Sequence, residues 1–139
     1  MGIWHLVVIS ADVDFAAVEQ VATDLQAAHA TGDIAFDALE LGERLAPEVH
    51  DGLLGGQLET GQAGARVLLV RLADEPALMA YYESPAHAYI RRRFLSRVSP
   101  ECARLYAATD ARADNARVTF EQIEQLASGF MRRIDISMR

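Results

Sequence analysis

Proton transfer near neutral pH asks for a histidine, and this 139-residue chain has four: His5, His29, His50 and His87. His87 follows Ser84-Pro85, a capping residue and a first-turn proline, so it falls in the opening turn of a helix. The dipole there disfavours a charged imidazole and keeps the ring ready to accept a proton. His5 interrupts the otherwise apolar strand face Ile3, Val7, Ile9. A tyrosyl hydroxyl donates to a developing enolate oxygen, and an arginine supplies a fixed positive charge. Such a set fits aldol-type ring closure or proton abstraction beside a carbonyl. Tyr81 lies six residues before His87, about 1.7 helical turns, so the break at Ser84-Pro85 must bring the two rings together. Tyr82, Arg66 and Arg91 are candidate substrate-binding residues. Arg91 opens the cluster Arg91-Arg92-Arg93, with Arg97 beyond it, although a charge run on a helix is ordinarily a solvated face. His29 and His50 read as surface or loop residues, and His50 sits where it could close over a site.

Other chemistries are excluded. All thirteen basic residues are arginine, so a Schiff-base lysine and the P-loop lysine are impossible. The one cysteine, Cys102, allows no internal disulfide and no zinc ribbon, and without a neighbouring base it reads as inert. Two histidines without a carboxylate at matching spacing predict no metal site. No cofactor is expected.

These residues need elements to hold them. Residues 3–10 form a dense β-branched run, a strand apolar on both sides. A helix follows, capped by Asp12 or Asp14, periodic through Phe15, Val18 and Leu25, and ended by Gly32. Residues 34–41 and 65–72 read as the second and third strands. Between Gly42 and Gly64 runs a glycine-rich stretch long enough to act as a lid or a dimer contact. Asp74 caps a helix to about Glu83, Ser84-Pro85 restarts it, and Ser99-Pro100-Glu101 breaks it again. Residues 109–116 read as a turn. Thr119 to Gln122 has the form of a capping box opening a short helix that Gly129 ends. From Phe130 the tail alternates, with Ile134, Ile136 and Met138 on one side and Arg133, Asp135 and Ser137 on the other, as a fourth strand.

The order predicts a single α+β domain over residues 1–139, with the β-α-β-β-α-β arrangement of ferredoxin-like folds and extra C-terminal helix. Helices cover one side of such a sheet, and the apolar second side of strands one and three calls for a homodimer packed sheet to sheet. The composition is that of a globular protein with one core, 51% hydrophobic and 24% charged. A net charge of −7 argues against nucleic acid. No apolar run reaches membrane-span length and no signal-peptide pattern opens the chain, so no membrane partner and a cytoplasmic location are expected.

Tyr81-Tyr82-Glu83-Ser84-Pro85-Ala86-His87-Ala88-Tyr89 resembles the second helix of the stress-responsive dimeric α/β-barrel (Dabb) family, with its Pro-Ala-His motif after an acidic, tyrosine-containing turn. Ile3-Trp4-His5-Leu6-Val7-Val8 is similar to that family's first strand, and Leu41-Gly42-Glu43-Arg44-Leu45-Ala46-Pro47-Glu48 to its loop after strand two. The resemblance covers roughly residues 3 to 100; the segment 101–139 departs from it. It implies a dimeric α/β barrel. Plant polyketide cyclases of the family line a cavity with a strand-one histidine, a helix-two tyrosine and the histidine of Pro-Ala-His, and they use no cofactor. His5, Tyr81 and His87 match those positions. A further cavity histidine of those enzymes falls at Arg66 here. The expected function is therefore a cofactor-independent, cyclase-like enzyme, or a related lyase or isomerase, acting on a carbonyl-containing small molecule. The alternatives are a non-catalytic stress-responsive or ligand-binding homodimer, and a cofactor-free or haem-type monooxygenase on the same scaffold.

Overall fold

A computed structural model describes residues 2–43, 64–111 and 116–138. The elements run β1 (Ile3–Ile9), α1 (Phe15–Thr31), β2 (Ala38–Glu43), β3 (Arg66–Leu72), α2 (Glu75–Glu83), α3 (Pro85–Val98), α4 (Pro100–Ala111), α5 (Ala116–Ala127) and β4 (Met131–Ser137). The four strands make one antiparallel sheet in the order β2-β3-β1-β4, which is the ferredoxin-like topology. Among the described residues the sheet is open, with β2 and β4 at its edges, and does not close into a barrel.

Local signals set most boundaries. The Asp14 carboxylate caps α1 through the Ala16 amide, and Gly32 ends it in the left-handed conformation that glycine enters without penalty. Asp74 caps α2 through the Ala77 amide. Ser84 ends α2 and caps α3, and its hydroxyl also donates to the Asp33 carbonyl, tying the helix break to the end of α1.

Three expectations shift. The second strand lies at 38–43 rather than 34–41, because pairing with β3 begins only where the Asp37 amide reaches the Arg71 carbonyl. Ile34 and Phe36 are instead buried as core residues of the approach. The region before the last strand holds two helices rather than one short one. Thr119 lies inside α5 and is buried, so it does not open that helix. The stretch anticipated as a lid, with His50, lies at residues 44–63, outside the described residues.

The core fills the space between helices and sheet: Ile9, Val18, Leu25, Val70, Leu72, Leu95, Cys102 and Ile123 are all essentially inaccessible. Inert packing suits Cys102 there. Among the described residues no helix is long and apolar enough to cross a membrane.

Candidate active site

The inner face of β1 carries His5, 2% exposed and directly opposite Asp135 in the β1–β4 register. His5 Nδ1 lies 2.6 Å from Asp135 Oδ1. The Tyr82 hydroxyl donates to Asp135 Oδ2 at 2.7 Å, and its oxygen is 3.0 Å from His5 Nδ1. A carboxylate only accepts, so both donors point their protons at Asp135, which fixes the His5 tautomer and leaves Nε2 as the acceptor nitrogen. Tyr81 and His87 complete the cluster. Their ring centroids are 4.7 Å apart, and Tyr81 meets His5 edge-on at 5.4 Å. The helix break at Ser84 makes this contact, since an unbroken helix would set residues 81 and 87 on different faces.

These rings line a cavity of about 280 Å³ between the sheet and helices α1, α3 and α5. Its far wall is apolar, built from Val7, Ile9, Leu25, Leu68, Ile90 and Phe94. On the side of α5 it adjoins a cleft of about 450 Å³, and Tyr82, His87, Arg91, Glu124 and Arg133 border both.

Burial dominates the electrostatics. It pushes His87 down to about 4, helped by the positive fields of His5, Arg91 and Arg133. His5 is also lowered by burial, but Asp135 opposes that through its hydrogen bond and its charge. Burial raises Tyr81 and Tyr82 well above ordinary phenols, and the Asp135 charge adds to it, so both keep their protons.

Five of the six expected site residues thus converge: His5, Tyr81, Tyr82, His87 and Arg91 all line the cavity. Arg66 does not. It sits at the start of β3, where its guanidinium bonds the Glu43 carboxylate at 2.7 Å and the Gly64 carbonyl, and lies 4.4 Å from the Phe15 ring. Asp135, Arg133 and Glu124 were not anticipated. The alternating tail already set Arg133 and Asp135 on one face, and the ferredoxin-like strand order puts that tail beside β1, so Asp135 could have been found. Glu124 carries no such signal. Among the described residues no group of three histidine, cysteine or acidic side chains is placed to hold a metal.

No protein-family model and no curated protein matches the sequence. Solved structures do match it in fold. A dimeric ferredoxin-like protein of unknown function from Jannaschia sp. is 12% identical, with 99% of this chain and 100% of that chain covered and a TM-score of 0.55. An Arabidopsis thaliana protein is 14% identical over 99% and 95%, with a TM-score of 0.55. A dimeric protein of unknown function and ferredoxin-like fold from Bacteroides fragilis is 11% identical over 99% and 96%, with a TM-score of 0.53. The chain therefore has a ferredoxin-like fold.

Proposed function

We propose that the chain is a cofactor-independent enzyme that moves a proton beside the carbonyl of a small molecule, in the manner of the polyketide cyclases of the dimeric α/β-barrel family. The observation that carries this reading is the Asp135–His5–Tyr82 triangle, in which His5 is buried and both His5 and Tyr82 line the cavity. His5 is the base. Asp135 holds its Nδ1 and stabilises the imidazolium that forms when Nε2 takes a proton from carbon. His87, expected from its position in the helix to be that base, suits the role less: an imidazole held near 4 is neutral but weakly basic. It acts instead as a neutral hydrogen-bonding partner, and with the Tyr81 hydroxyl it steadies the enolate oxygen. A cavity of this size lined by His87 and Tyr81 suits chemistry or ligand binding rather than a filled interior that only packs a dimer.

The active form is a homodimer, joined through the outer face of the sheet. Trp4, Leu6, Val8, Val67 and Leu69 are half-buried there, and Ile134 and Ile136 are 40% and 44% exposed. A contiguous apolar sheet face of this kind needs a cover, and the Jannaschia and Bacteroides structures are themselves dimeric.

The test uses a set of small methyl ketones in D₂O, with loss of the α-proton signal followed by NMR. The protein is expected to speed exchange at least about 100-fold over buffer for some member of the set, and His5→Ala and Asp135→Asn to remove the acceleration. No acceleration with any ketone, or variants as fast as the parent, would overturn the reading.

A further inference from the structure

Arg91, Arg133 and Glu124 stand where the cavity meets the outer cleft, and the proton-transfer reading leaves them without a task. The Glu124 carboxylate from α5 bridges two arginines: Oε1 pairs with Arg91 Nη2, and Oε2 lies 3.8 Å from Arg133 Nη2. Glu124 is the carboxylate set between the two guanidiniums, while the Asp135 carboxylate on the same cleft is held by hydrogen bonds to His5 and Tyr82. Arg91 is well covered, its side chain 16% exposed, while Glu124 sits nearer the rim at 31%. A carboxylate clasped by two arginines is also how a free carboxylate is best recognised. Deeper in, the wall turns apolar through Val7, Ile9, Leu25, Leu68 and Phe94.

We propose that Glu124 occupies the seat of a ligand carboxylate, so that the cavity selects small carboxylic acids with an apolar tail over their neutral analogues. The proposal rests on the cavity being a small-molecule site, and not on which proton is moved there. An incoming carboxylate takes the place between Arg91 and Arg133 while Glu124 turns out into the cleft. One carboxylate replaces another, so the covered Arg91 is not left without a partner during the exchange. A neutral analogue cannot make that replacement. It must fit beside a Glu124 that stays in place.

The probes are 4-propylbenzoate and 4-propylbenzamide, matched in shape and differing in charge, titrated calorimetrically into the full chain. The carboxylate is expected to bind about 10-fold tighter than the amide. Glu124→Gln, which removes the competing charge while keeping the shape of the side chain, should tighten the carboxylate by about another 10-fold and leave the amide nearly unchanged. Arg91→Gln and Arg133→Gln should each erase the preference. Glu19→Gln on exposed α1 removes the same charge at a distance and should change neither affinity. Equal binding of the two probes, no binding of the carboxylate, or a Glu124→Gln effect no larger than that of Glu19→Gln would overturn the proposal. Carboxylate preference without ketone exchange overturns the proton-transfer reading alone; exchange without preference overturns this one alone.

Discussion

On β4 the side chains turned toward the helices are Arg133 and Asp135, whereas those turned away are Ile134 and Ile136. A strand at the edge of a lone domain would be expected to do the reverse, with its apolar side inward. Each face has its own reason. The inner face is polar because Asp135 meets His5 and Tyr82 beside the cavity, at the adjoining cleft. The outer face is apolar because, in the proposed dimer, a second sheet covers it. In the proposed enzyme and dimer, the seven residues of this strand would serve the site with one side and the partner with the other.

The largest effect should come from breaking the outer face. Ile134→Glu alters a side chain already 40% exposed in one chain, so the subunit keeps its fold. Its loss is felt once on each side of a two-fold interface, about 4 kcal/mol per dimer, or near a thousandfold in Kd. Sedimentation at micromolar concentration should show monomers with unchanged circular dichroism. A variant that sediments like the parent would remove the outer face from the interface.

The inner face should reveal itself through pH. The fold holds His87 near 4, while an unfolded chain titrates it near 6.5, so the unfolded state takes up the extra proton first as pH falls. This contribution to stability is complete above pH 6.5, declines between 6.5 and 4, and levels off below. It amounts to about 3 kcal/mol. His87→Gln should flatten the dependence across that window while changing stability at pH 7 little, as read from denaturant midpoints at successive pH values. An equally steep decline in the variant would place the pH sensitivity elsewhere.

Much of this was legible in advance, and what was hidden was hidden for definite reasons. Caps at Asp14, Asp74 and Ser84 are local chemistry, so α1, α2 and α3 could be read from a few residues each. The meeting of Tyr81 with His87 followed from the proline break. The start of β2 was placed four residues early because Ile34 and Phe36 look like strand residues but are buried against the core without pairing. Thr119 failed as a cap because Thr-Phe-Glu-Gln also suits a helix interior. Arg66 and Asp135 show the deeper limit. Both are charged residues in strands, and the sequence marks each only as belonging to one alternating face. For Asp135 the clue lay in combining that alternation with the strand order, whereas Arg66 shares the helix-facing side of β3 with Leu68 and Val70 and misses the cavity because it stands at the strand's first position, bonded to Glu43.

Within the triangle, Tyr82→Phe should have a smaller effect. The hydroxyl gives one hydrogen bond to a carboxylate that is 34% exposed, so its loss should cost about 1 kcal/mol, measured by urea denaturation. His5 keeps its own bond to Asp135, so ketone exchange should slow only several-fold rather than vanish. Complete loss of exchange would make the tyrosyl hydroxyl a participant in the reaction rather than a support for Asp135.

The smallest effect belongs to the arginine that sequence position alone assigned to substrate. Arg66 pairs across strands with Glu43, itself 61% exposed, and exposed ion pairs of this kind contribute little because water and salt screen them. Its stem and guanidinium rest against the Phe15 ring at the outer end of β3, away from the cavity. Arg66→Gln should therefore shift stability by less than about 0.5 kcal/mol and leave both ketone exchange and carboxylate preference as they are. Arg91→Gln, also a single lost guanidinium, should erase the preference. If Arg66→Gln did the same, the arginines would be acting through overall charge, and the two-arginine seat at Glu124 would lose its claim to recognise a carboxylate by geometry.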